Sequence, residues 1–238
     1  MEQRTDRVKV WDLPVRVFHW SLVIAIAVAF LSSEEESALN AWHVLAGWVA
    51  AILIMFRLAW GFFGGEHSRF RDFIRPSRIS THLAGLARGR TEPSIGHNPL
   101  GAVAVLVLLA LCAITVWTGA FGGEAAEELH EVIAWVLLAM VVLHVLAVVI
   151  MSMLERENLV RAMITGSKQA SRHPGAADAK APGATAWLMG AAVVAATAYA
   201  IVRYDPAAFS LRSVESFEHR SGGGGEKAEA GYERESDE

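Results

Sequence analysis

"HEVIAWVLLAMVVLH", His130–His144, has no charged residue between Val132 and Leu143, yet a histidine stands at each end. The two histidines are 144 − 130 = 14 residues apart. On an α-helix, with about 100° and 1.5 Å per residue, that puts both on nearly one face, offset by roughly 40° and about 21 Å apart along the axis. In a hydrocarbon layer about 30 Å thick, such a pair occupies two levels, one towards each surface. Ionisable side chains at such depths are rare and usually functional, so the rest of the chain is read for what it places at the same two levels.

Composition supports a membrane setting. Hydrophobic residues make up 53% of the 238 and the mean hydropathy is +0.34, too apolar for an ordinary soluble domain. Five stretches free of Asp, Glu, Lys and Arg approach or exceed the roughly 17–25 residues a spanning helix needs: Val17–Ser33, Ser37–Phe56, Pro93–Gly123, Val132–Leu154 and Ala181–Val202. The third is expected to turn helical only from Pro99. "AIAVA" in the first stretch offers small residues for signal cleavage, but the polar region before it is too long for a secretory signal. The single cysteine, Cys112, excludes an internal disulfide, a two-cysteine attachment for covalent haem, and a multi-cysteine metal site built from this chain alone.

Charge placement orients the spans. Arg4, Arg7, Lys9 and Arg16 precede the first. Arg69, Arg71, Arg75, Arg78, Arg88 and Arg90 lie between the second and third, and Arg156, Arg161, Lys168, Arg172 and Lys180 follow the fourth. The other two loops carry "SEEES" and "GEAAEE". The positive-inside rule then puts the N-terminus in the cytoplasm and, after five spans, the C-terminus outside. "GSKQASRHPGAADAKAPGATA" (166–186) reads as a flexible linker. "RISTHLAGLARGR" (78–90) is either a basic amphipathic surface helix or a solvated charge run. The acidic tail ending in "SGGGGEKAEAGYERESDE" reads as disordered. The expected organisation is a core over residues 1–166, a linker over 167–183, a fifth helix over 184–203 and a tail over 204–238.

Two more histidines match the two depths. His19 starts the first span, level with His144; His43 starts the second, level with His130. The expected cross-helix pairs are therefore His19 with His144 and His43 with His130. Two facing imidazoles at each of two depths suit two non-covalent haems b, each iron held between two neutral nitrogens. The plainer alternative is packed histidines bonded to backbone carbonyls. The other five histidines fall in loops or the tail and are read as surface residues. Gly47, one turn after His43, would let a macrocycle lie against the backbone. Arg57, fourteen residues after His43, shares its face at the cytoplasmic level, where it either pairs with a haem propionate or snorkels to the headgroups.

"WDLPVRVFHW", "HVLAGW", "FRLAWGFFGGEHSRFRDFIRP", "GHNPLGA", the Thr118–Gly119 pair and the two histidines of span four together resemble the bacterial cytochrome b561 family, related to the b-type cytochrome subunit of nickel-iron hydrogenases. The resemblance covers about Val8–Gly166. It implies an all-α membrane protein: a four-helix transmembrane dihaem bundle with His19, His43, His130 and His144 as iron ligands and Arg57 in the haem environment. The fifth, C-terminal helix and the acidic tail lie outside the usual four-helix pattern; the small residues of "GAAVVAATAYA" suit packing on the bundle, on a second membrane subunit or in a homodimer.

The resemblance also implies exchange of single electrons with membrane quinone and with a redox protein outside. The leading expectation is a conduit between quinone and a periplasmic carrier such as a c-type cytochrome. The alternatives are a superoxide:quinone oxidoreductase, a cytochrome b subunit of a larger respiratory complex, and a membrane anchor without haem. Nucleic acid is not an expected partner.

Overall fold

The computed structural model describes residues 6–34, 39–73, 85, 88 and 94–210. Most of the possible amphipathic segment 78–90, and the acidic tail from residue 211, lie outside the described residues.

Helix α1 (Leu13–Leu31) starts where Asp12 caps it, accepting from Val15 N–H at 2.9 Å, with Pro14 in the first turn. Proline is tolerated there because its missing N–H would have no helical partner. Helix α2 (Asn40–Phe63) runs past the end of its charge-free stretch because Arg57 is accommodated inside the bundle. Helix α3 (Pro99–Phe121) begins at Pro99 as expected; Asn98 caps it by accepting from Gly101 N–H at 2.6 Å. Helix α4 (Glu127–Leu154) carries His130 and His144, a short α5 (Leu159–Thr165) follows it, and α6 (Ala184–Tyr204) is the fifth long helix. Among the described residues, five helices are long and apolar enough to cross a membrane. Exposed Val136, Val142, Leu143 and Leu146 on α4 fit a surface solvated by lipid.

Close pairings are α1 with α2, α2 with α3, α3 with α4, and α2 with α6. At mid-height one apolar cluster joins the first four helices: Ile54, Cys112 and Leu137 are buried, and Leu22 and Ile26 pack against them. Leu137 lies seven residues from each histidine of α4, so the cluster separates the two histidine levels. Helix α6 packs on the bundle through α2. Ala186 joins Val15 and Trp60 in a buried cluster, and a Cβ at Gly190 would stand 3.2 Å from Phe56 and Trp60. At its other end, Tyr204 donates to the Ala120 carbonyl at 3.1 Å.

The segment after residue 166, flexible by composition, is tied down. Strand β1 (Arg7–Lys9) pairs antiparallel with β2 (Ser167–Gln169), Val8 opposite Lys168. Gly166 ends α5 at φ 80°, a left-handed conformation that favours glycine. Its carbonyl accepts from Val10 and Trp11 N–H at 2.8 and 3.1 Å. Farther on, Asp178 accepts from Lys9 N–H, and Glu66 from Lys180 N–H. Composition could not show these bonds because their partners lie 114 to 169 residues away.

A buried ionic cluster closes this basic end. Lys168 lies 3.7 Å from Glu157, their side chains 2% and 5% exposed, and donates to the Ser94 carbonyl at 2.7 Å. Glu157 also accepts from Gln169 N–H and from His173 Nε2. Burial pushes the Glu157 carboxyl up, but the bonds from Gln169 and His173 and the Lys168 charge outweigh it and hold it below the usual range. For Lys168 burial prevails, and its ammonium is lowered despite the two glutamates. Glu155 is 4% exposed, and neither carboxyl oxygen has a hydrogen-bond partner among the described residues. Burial raises it, the Lys168 charge opposes this, and the Glu157 charge adds to the rise.

A carboxyl with a raised folded pKa holds its proton better folded than unfolded. Its contribution to stability is therefore present at low pH and is lost as pH rises from about 4 through the folded value. Glu155→Gln is expected to raise the melting temperature at pH 8 and to change it little near pH 4.5. Equal shifts at both pH values in thermal melts would contradict a raised Glu155 carboxyl.

Candidate functional site

His43, in the first turn of α2, and His130, in the first turn of α4, meet at the acidic end. Their ring centroids are 6.0 Å apart and their planes cross at 76°. His43 Nδ1 lies 2.8 Å from the Ala29 carbonyl, and His130 Nδ1 lies 3.0 Å from the Thr115 carbonyl and 3.2 Å from Thr118 Oγ1. A carbonyl can only accept, so each imidazole carries its proton on Nδ1 and keeps the Nε2 lone pair for another partner. A carbonyl bonded to the far nitrogen in this way commonly fixes the ring of a ligating histidine. With metal–nitrogen bonds of about 2 Å and ring centres about 1 Å beyond each nitrogen, two imidazoles across one ion stand roughly 6 Å apart. The observed spacing fits.

Glycines shape this pocket. A Cβ on Gly119 would fall 2.7 Å from His130 Cε1 and 2.9 Å from Nδ1, so only glycine lets the imidazole reach Thr115. A Cβ on Gly47 meets nothing within 4 Å, and the backbone there borders space in which a flat group could lie.

At the basic end, His19 on α1 and His144 on α4 are within electrostatic reach of one another. His19 stands edge-on to Trp20 at 5.1 Å, and its buried Nδ1 has no hydrogen-bond partner among the described residues. The structure thus sets His43 and His130 ring to ring at the acidic end, while His19 and His144 share the basic end within electrostatic reach.

Arg57 is 3% exposed, which excludes snorkelling into headgroups. It donates to the Ser68 carbonyl at 3.1 Å, its guanidinium carbon lies 5.1 Å from the centre of the Phe70 ring, and Asp12 supplies opposing charge nearby. Asp12 also holds this corner together, accepting from Trp60 Nε1, Gly65 N–H and Ser68 Oγ.

Three histidines read as surface residues are drawn inwards. His97 stacks edge-on to Trp11 at 4.7 Å, His67 stands 6.5 Å from the same ring, and His173 is buried against Glu157. Burial, and next the Arg57 charge, push the His97 imidazole down to about 3, so it is neutral at physiological pH. Loop membership concealed this. The usable signal was the cap that follows: Asn98 and Pro99 start α3, so the residue before them must lie against the bundle's end.

The family model described as "Prokaryotic cytochrome b561" matches residues 10–166. Similar curated proteins include the probable Ni/Fe-hydrogenase B-type cytochrome subunit of Bradyrhizobium diazoefficiens, 24% identical over 212 residues, covering 68% of this chain and 86% of that one. The corresponding subunit of Cupriavidus necator is 26% identical, covering 66% and 85%. The hydrogenase 1 subunit of Escherichia coli K12 is 28% identical over 149 residues, covering 50% and 63%. No solved structure gives a significant match. With the family's model spanning most of a five-helix bundle that pairs its histidines across α2 and α4, the chain belongs to the prokaryotic cytochrome b561 family: it is a multi-pass membrane cytochrome of the b type, a haem b protein of electron transport.

Proposed function

We propose that this chain holds two haems b, one between His43 and His130 and one between His19 and His144, and carries electrons across a bacterial inner membrane between membrane quinone and a redox protein. The observation that carries the reading is the His43–His130 spacing of 6.0 Å with both Nδ1 atoms committed to carbonyls. Haem b with histidine on both faces supplies one-electron transfer without an open coordination position. The chain's own residues do the rest. Ala29 and Thr115 set the tautomers, Gly47 leaves room for a macrocycle, and Arg57 offers guanidinium donors to a propionate at the basic end. The apolar cluster around Leu137 keeps water from the path between the two levels. Charge placement supports a cytoplasmic N-terminus and a periplasmic C-terminus.

Glu34, Glu124, Glu127, Glu128 and Glu131 surround the acidic end, a surface that repels superoxide and attracts a basic carrier such as a c-type cytochrome. The names of the relatives favour a second reading, in which the same face docks a hydrogenase within a larger complex.

Pyridine haemochrome analysis of the purified protein is expected to give two haems b per chain; one or none would overturn the dihaem reading. In stopped-flow mixing, a basic cytochrome c should exchange electrons faster than an acidic one, by a margin that shrinks as salt rises. Equal rates without salt dependence would remove the soluble carrier, and co-purification with a hydrogenase would select the second reading.

A further inference from the structure

Among the described residues, α4 pairs closely with only one other membrane helix, α3, and meets α1 and α2 through the mid-height cluster and, towards the acidic end, through the Phe30–Trp135 and His43–His130 ring contacts. Its basic end, which carries His144, would be free to move away from His19 unless something tied it. The tie lies just beyond residue 166, where the family match stops. Lys168 sits in β2 opposite Val8 of the strand that leads into α1. Its ammonium pairs with Glu157, three residues past the end of α4, and donates to the Ser94 carbonyl in the lead-in to α3. One buried cation thus touches the approaches to three helices. Glu157 returns the hold through Gln169 N–H and His173, and the Gly166 carbonyl binds Val10 and Trp11 next to the cap of α1.

We infer that Lys168 and Glu157 are positioning residues for the haem at the basic end: their buried pair clamps the exit of α4 to the approach of α1, and so sets the separation of His144 from His19. This rests on the dihaem reading. A buried pair is suited to such work because removing one partner leaves the other charge uncompensated, so the two elements are held at one separation. For comparison, losing a group bonded directly to a metal-ligating histidine commonly costs about tenfold to a hundredfold in affinity.

The experiment follows transfer of haem from the full-length, haem-loaded protein in detergent to excess apomyoglobin. His43→Ala, which should keep only the basic-end haem, identifies that phase. The unmutated protein should show two phases. Lys168→Met is expected to speed the basic-end phase by about tenfold or more and to broaden that haem's low-spin electron paramagnetic resonance signal, while the His43–His130 phase is unchanged. Lys168→Arg, which keeps the charge and donors, should restore the slow rate. If Lys168→Met does not accumulate, Glu157→Gln is the milder variant and should act on the same phase. Equal acceleration of both phases would show general destabilisation and overturn the clamp, as would no acceleration. A single phase in the unmutated protein would instead remove the dihaem reading beneath it.

Discussion

Alanine at His43 or His130 is expected to halve the haem per chain, removing the site at the acidic end and sparing the other; alanine at His19 or His144 should do the reverse. On the dihaem reading each substitution would take away one of the two histidines that hold a haem and leave a hole the size of an imidazole. The remaining iron would be high-spin and weakly held. At the acidic end the effect should be reversible, because the Ala29 carbonyl that accepts from His43 Nδ1 stays in place to orient a free ring. Millimolar imidazole supplied together with haem is therefore expected to restore the second haem and its low-spin spectrum in His43→Ala. The plainer alternative, histidines that only pack, makes a different forecast: lower thermal stability with unchanged haem per chain. Pyridine haemochrome counts on the four variants separate the two, and unchanged counts in both His43→Ala and His130→Ala would refute ligation at the acidic end.

The two histidine levels were legible because depth in a bilayer is a one-dimensional property. Counting residues along a helix gives height and facing together, and His130 with His144 needed nothing else. The details that make His43 and His130 suitable ligands were not legible. Whether an Nδ1 faces the carbonyl of Ala29 or of Thr115 depends on how α1 and α3 are rotated against their neighbours, which the apolar pattern of nearly uniform helices does not specify. The charge-free stretch of the second span ends at Phe56, whereas the helix continues to Phe63 because Arg57 finds Ser68, Phe70 and Asp12 inside the protein. Likewise the composition of 167–183 suggested a loose connection, since a strand of three residues and a buried lysine are defined only by partners far away in sequence. Local pattern located the elements, and long-range pairing of polar groups fixed their ends.

Asp12 gathers long-range pairing onto one carboxylate, and Asp12→Ala is expected to be among the most damaging substitutions outside the four paired histidines. Its carboxylate caps α1 through Val15 N–H at 2.9 Å and accepts from Trp60 Nε1 at 3.1 Å, Gly65 N–H at 3.1 Å and Ser68 Oγ at 2.7 Å. Trp60 and Ser68 are 1% and 2% exposed, so water cannot readily replace the lost acceptor. A lost cap costs about 1 kcal/mol, and each buried donor left without a partner about 1–3 kcal/mol. With two buried donors stranded these suggest about 3–7 kcal/mol, which for a chain of this size corresponds to roughly 10 °C or more in melting temperature. Removing the carboxylate also withdraws opposing charge from buried Arg57. Asp12→Asn keeps one acceptor oxygen, so it should preserve the helix cap and lose part of the Trp60, Gly65 and Ser68 contacts, giving an intermediate shift. Because Asp12 fixes the start of α1 seven residues before His19, the basic-end haem should be released first on heating Asp12→Ala, with the His43–His130 site persisting to higher temperature. Soret-band melts that resolve the two haems test the order. A shift below about 2 °C, or simultaneous loss of both haems, would show that this corner does not govern the position of α1.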